Sequence, residues 1–145
     1  MSGRGSRKGL SVVDLVETAW AFALALVVEV GLHTARLPWL SRMLGVPLRE
    51  DSDRVLPTSE PVIIPHWARR RLRAARRALK YWPFGDSCLR VALVGGCLVR
   101  RLDPVLRIGV TKHEGQVKAH AWIEIGGLSL DPASVDFRVV DGVSS

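Results

Sequence analysis

The 145-residue sequence contains no asparagine and a single glutamine, Gln116. It has only two cysteines, Cys88 and Cys97. Two cysteines exclude a disulfide scaffold and favour a reducing, cytoplasmic setting. They lie nine residues apart in an expected helix, on opposite faces and about 13 Å apart along the axis, so they cannot bridge within it. No Cys-x-x-Cys or His-x-x-x-His pair supports a zinc site, and no Gly-rich loop carries the Lys and Ser or Thr of a phosphate cradle. No cofactor is expected. His33, His66 and His113 have no motif partner. An unbroken membrane-length run is also missing: only 11 uncharged residues, Thr18 to Val28, separate Glu17 from Glu29, where a span needs about 20. Nor does a small-residue cleavage pattern follow a short apolar run, as a secretory signal requires.

What is present is apolar and basic. Hydrophobic residues make up 48% and charged residues 24%, which excludes a disordered chain. The length suits one domain with a core of its own. Lys and Arg outnumber Asp and Glu by 21 to 14, a formal charge of +7, which suits an acidic partner without choosing between peptide, nucleic acid and membrane surface.

Residues 1–10 read as a flexible basic tail, residues 11–61 as an N-terminal helical segment with its linker, and residues 62–145 as the core. Ser11 is expected to cap a helix running to about Leu37 and stopped near Pro38. Its apolar residues run nearly all round, so it should be covered by the sheet or by a partner. The isolated chain is accordingly expected to dissolve poorly and to gain order with its partner. Four prolines mark 47–65 as a connection. His66 to Tyr81 is helical by spacing, with six arginines and a lysine over most of its surface. A third helix, capped by Asp86 or Ser87, should reach about Arg101. Beyond Pro104 the period becomes two, giving strands at Val105–Thr111, Val117–Ile125, Leu128–Asp131 and Phe137–Val140, with a hairpin at Gly126-Gly127. Helices followed by an antiparallel sheet make an α+β domain.

Cys88 falls in the first turn of its helix, where unpaired N–H groups and the dipole favour a thiolate. Cys97 reads as a small buried hydrophobe. In the strand 117–125, His120, Trp122 and Glu124 share a face. A two-residue turn at Gly126-Gly127 sets Trp122 opposite Asp131, one diagonal step from His120 and within carboxylate–imidazole reach. A thiol, an imidazole and an orienting carboxylate are what nucleophilic acyl transfer needs. With no asparagine in the chain, the third member must be acidic, and Glu124 is the alternative to Asp131. Trp82 is the candidate second oxyanion donor beside the Cys88 N–H, because no glutamine precedes the cysteine.

Trp82-Pro83-Phe84-Gly85-Asp86-Ser87-Cys88-Leu89-Arg90, Leu106-Arg107-Ile108-Gly109-Val110, Ala119-His120-Ala121-Trp122-Ile123-Glu124 and Leu130-Asp131-Pro132 together resemble the stand-alone transglutaminase-like cysteine peptidases of lasso peptide biosynthesis. The resemblance covers residues 81 to 138 and implies a transglutaminase-like or papain-like core. It implies Cys88 as nucleophile, His120 as general base and acid, and Asp131 as orienter. The implied reaction removes the leader from a ribosomally made precursor peptide. Implied partners are that leader segment, a small leader-binding recognition protein of winged-helix fold, and an ATP-dependent cyclase that then closes the ring. Two competing readings remain at this level. The basic helix could serve a nucleic-acid or membrane-surface binding protein without catalysis, although no nucleic-acid fold signature accompanies it and none is expected to bind. The same thioester could also pass to an amine, giving transamidation.

Overall fold

A computed structural model describes residues 9, 11–49 and 63–131, together with the backbone of residues 138–139. Most of the proposed tail, residues 1–10, and most of the proline-rich connection lie outside the described residues. Among the described residues, four α-helices precede a four-stranded antiparallel sheet: α1 (Val12–Thr34), α2 (Leu37–Met43), α3 (His66–Lys80), α4 (Cys88–Leu98), β1 (Val105–His113), β2 (Gln116–Ile125), β3 (Leu128–Ser129) and β4 (Arg138–Val139). The strand order is β3-β2-β1-β4. This is the expected α+β fold.

Ser11 does cap α1, in a reciprocal box with Asp14, which satisfies two first-turn N–H groups that would otherwise be orphaned. The Asp14 carboxyl is held below its ordinary range, chiefly by hydrogen bonds from Ser11. The helix is shorter than expected at its other end. It stops at Thr34, and Ala35 turns the chain into extended backbone. Pro38 starts α2 instead of ending α1, because a proline in the first turn sacrifices no intrahelical hydrogen bond.

α1 is long and apolar enough to cross a membrane by length and composition. Both its interior acids, however, pair with arginines of the packed helices: Glu17 with Arg70 of α3 at 3.1 Å and Glu29 with Arg90 of α4 at 2.7 Å. Ala21, Ala25 and Val28 are buried in the common core, while Val12, Val16, Trp20, Leu26, Val27 and Val30 are exposed. One stripe of the helix is therefore covered from within the chain, and the opposite stripe faces outward.

α3 buries Ala68, Ala74, Ala75, Ala78 and Leu79; the small side chains let its neighbours α1 and α4 approach closely. α4 ends at Leu98, not near Arg101. A short 3-10 turn, Arg100–Leu102, follows, and Asp103 adopts a left-handed conformation (φ 51°). Pro104 keeps the residue before it, Asp103, out of the right-handed helical region. Within α4, Gly96 is a packing requirement. A Cβ there would lie 2.8 Å from both Val46 methyls and 3.4 Å from Ile123. The helix so seated against β2 carries Leu93 and Val94 fully into the core.

β1 and β2 pair along their full length from Val105↔Glu124 to His113↔Gln116, turning at Glu114 and Gly115, both with positive φ. The hairpin expected at Gly126-Gly127 is present, both glycines at positive φ, with Ile125↔Leu128 and Glu124↔Ser129 paired. β4 joins β1 rather than β3. The flanks of that expected strand, Phe137 and Val140, lie outside the described residues.

Candidate active site

The β2–β3 register carries the site's first contact. Beyond Ser129 the ladder is continued by Leu130 N–H donating to the Ile123 carbonyl at 3.0 Å. Asp131 thus arrives one diagonal step from His120, and its Oδ2 lies 2.6 Å from His120 Nε2. A bond this short between imidazole and carboxylate fixes Nε2 as the protonated nitrogen, leaving Nδ1 to carry the basic lone pair. The Trp122 ring stacks on the imidazole, 6.0 Å between centroids and 22° between planes. The ring is thereby held both in plane and in tautomer.

Cys88 is the first residue of α4. Its N-cap Ser87 accepts the Arg90 N–H through its hydroxyl, and the thiol is half-buried. Cys88, His120 and Asp131 line one cleft of about 660 Å³, between the first turn of α4 and β2. The three side chains that sequence reasoning grouped are thus brought to a single cavity. Such a set can form a nucleophile, a proton carrier and an orienter, with first-turn N–H groups of α4 available to an oxyanion. No group of three or more metal-ligating side chains occurs among the described residues.

Trp82 requires a correction. It is not among the residues lining the cleft. Its indole N–H donates to Glu29 at 3.4 Å, and its ring lies between Phe22 and Phe84. An N–H committed to a carboxylate across the helix layer is not an oxyanion donor; Trp82 belongs to the packing behind Cys88. Glu124 is likewise engaged elsewhere. It is buried, paired with Arg107 at 3.1 Å, and accepts the Trp122 indole N–H at 3.2 Å. Arg107 in turn donates to the Arg49 carbonyl at 3.1 Å. The Arg107–Glu124–Trp122 chain supports the His120 stack from beneath.

Sequence reasoning missed one further arrangement. Arg90 Nε and Nη2 donate to the two oxygens of Glu29 at 2.7 and 3.0 Å, and Arg90 Nη1 reaches the Ser87 hydroxyl at 3.2 Å. This fork ties the first turn of α4, the cysteine's own turn, to α1. It holds the Glu29 carboxyl below its ordinary range, with Arg90 the largest cause and Trp82 a further one. The only sequence signal was a glutamate on an apolar helix face. Cys97, expected to be buried, is half-buried; desolvation pushes its thiol up from the ordinary value, which favours the protonated form.

The described geometry agrees with comparison to known protein families, which matches residues 24–140 to the transglutaminase-like superfamily. The match takes in the C-terminal 11 residues of α1 as well as the region carrying the motifs. No curated protein and no solved structure matches the chain significantly. By a family match that spans most of its length, the chain belongs to the transglutaminase-like superfamily.

Proposed function

We propose that this protein is a cysteine peptidase that removes the leader segment from a lasso precursor peptide through an acyl-enzyme on Cys88. The observation that carries the reading is the 2.6 Å contact between His120 Nε2 and Asp131 in the cleft that Cys88 also lines. The superfamily supports thiol acyl transfer as the broader class. Support for the leader as substrate comes from the Cys-Leu-Arg, Ala-His-Ala-Trp and Leu-Asp-Pro motifs of the sequence.

In this mechanism His120 Nδ1 takes the Cys88 thiol proton, and the sulfur adds to the carbonyl of the last leader residue. The oxyanion is met by N–H groups of the first turn of α4. The C–N bond then breaks. His120 gives its proton to the departing amine, the new N-terminus of the core peptide, and a leader thioester remains on Cys88. Water, deprotonated by His120, attacks that thioester and releases the leader carboxylate and the thiol. Asp131 orients the ring and stabilises the imidazolium.

We assign delivery of the precursor to a small leader-binding protein, with the outward apolar stripe of α1 as the surface it covers. The reaction is tested by mass spectrometry of a lasso precursor incubated with its leader-binding protein and either wild type or Cys88→Ala. Cleavage at one bond by wild type alone is expected. Equal cleavage by both proteins would overturn the reading. A product whose new carboxyl is captured by an added amine in preference to water would reassign the enzyme to transamidation.

A further inference from the structure

The arginines of α3 divide into two sets. Arg70 pairs with Glu17 and Arg77 donates to Thr18, both on α1; Arg71 donates to the Leu98 carbonyl and lies over the Trp67 ring. These three tie the helix layer together. Arg69, Arg73 and Arg76 do none of this. They are exposed, have no hydrogen-bond or ion-pair partner among the described residues, and line the same cleft as Cys88 and His120. Their i, i+4, i+7 spacing places all three on one helix face, spread over about 10.5 Å of axis.

We infer that these three arginines are the specificity wall of the cleft and select a substrate segment bearing carboxylate side chains beside the cleaved bond. This rests on the peptidase reading. Arg69 and Arg73 are about 6 Å apart along α3, close to the spacing of about 6.6 Å between alternate residues of an extended peptide. A strand laid along the helix thus presents every second side chain to the guanidinium row. Arginine forks pair with carboxylates in a bidentate, directional way. A peptide is favoured over a phosphate backbone because the cleft also holds the carboxyls of Asp86 and Asp131. Those carboxyls repel a continuous polyanion, while a peptide with a few acids can be registered past them.

The test measures binding separately from turnover. Full-length protein carrying Cys88→Ala is titrated by fluorescence anisotropy with a labelled peptide having Glu at alternate positions, and with its Gln counterpart. Arg69→Gln/Arg73→Gln/Arg76→Gln is compared with Arg36→Gln/Arg42→Gln/Arg101→Gln, which removes equal charge at exposed positions outside the cleft. The Glu peptide is expected to bind about tenfold more tightly, and only the first triple variant should abolish that preference. Equal affinity for the two peptides on the parent protein would overturn the inference, even if the triple variant failed to fold. So would an equal loss in the control triple. A single-stranded oligonucleotide of matched charge that bound more tightly through the same arginines would overturn it in favour of nucleic acid. Charge-selective binding without precursor cleavage would fail the peptidase reading and leave the arginine wall standing. Cleavage indifferent to Glu or Gln beside the bond would do the reverse.

Discussion

Arg90 grips Glu29 with two parallel hydrogen bonds of 2.7 and 3.0 Å, joining the helix that begins at Cys88 to the one residue of α1 that is both buried and acidic. The arginine sits two places after the cysteine, so the contact fixes where the first turn of α4 lies. A lysine there keeps the charge and loses the fork. Arg90→Lys is therefore expected to lower kcat/KM by roughly ten- to a hundredfold through a misplaced Cys88, with a reduced Tm. Alanine should be worse in both. Unchanged kcat/KM in Arg90→Lys would show that the turn is positioned by other contacts.

The same pair makes stability depend on acid. The Glu29 carboxyl, ordinarily near 4.5, is lowered in the folded state by Arg90. A carboxyl lowered on folding stabilises fully above its unfolded value, and the contribution is lost as pH falls through the folded value. Wild type should thus exceed Glu29→Gln in Tm at neutral pH, and the gap should close below about pH 4.5. Thermal unfolding of both proteins between neutral and acid pH checks this. A gap that is constant or widens in acid would contradict it.

His120 and Asp131 were the most legible part of the site. Their partnership follows from strand alternation and a Gly-Gly hairpin alone, and the register observed is the one those two features require. Ser11 was equally plain, and the cap of α4 was narrowed to Asp86 or Ser87, of which Ser87 is the one used, since capping is local chemistry. Non-local choices were not legible. Trp82 precedes the cysteine by six residues and still turns its N–H to Glu29, a partner 53 positions away that periodicity does not reveal. Pro38 read as a stop because a proline before a helix and one after it look the same until the chain direction is known. The division of the α3 arginines was hidden for the same reason: only the packed positions of α1 and α4 separate those that bind helices from those that line the cleft.

Asp131→Asn retains size and removes the charge that holds the His120 tautomer. A loss of two to four orders of magnitude in kcat is expected, with KM little changed. Glu124→Gln tests the neighbouring acid on the same strand face. Because Glu124 and Arg107 are buried together, that change should cost about 3 kcal/mol or more of stability. Activity per folded molecule should fall far less than in Asp131→Asn. If Glu124→Gln were the more damaging to kcat, the orienter would have to be reassigned.

The two thiols should differ in reactivity. Cys88 lies in the cleft, whereas burial raises the Cys97 thiol. Intact-mass measurement after brief iodoacetamide treatment of the folded protein should show one adduct, mapped to Cys88 and missing in Cys88→Ala. Adducts at Cys97 under the same conditions would contradict the assignment.

The outward apolar residues of α1 supply an expectation for partner binding. Val16, Trp20, Val27 and Val30 form an exposed apolar stripe on one helix, the kind of surface that marks an interaction site. Hydrogen exchange of residues 11–48 should slow when the leader-binding protein is added. Equal protection with and without it would place the partner elsewhere.

The central claim is that Cys88 carries the acyl group. Acid-quenched reactions of wild type with precursor and leader-binding protein should yield, by intact-mass spectrometry, protein heavier by the leader fragment, with the added mass mapped to Cys88 and released by hydroxylamine. Precursor cleaved at full rate by Cys88→Ala, or an acyl group found on any other residue, would contradict the account.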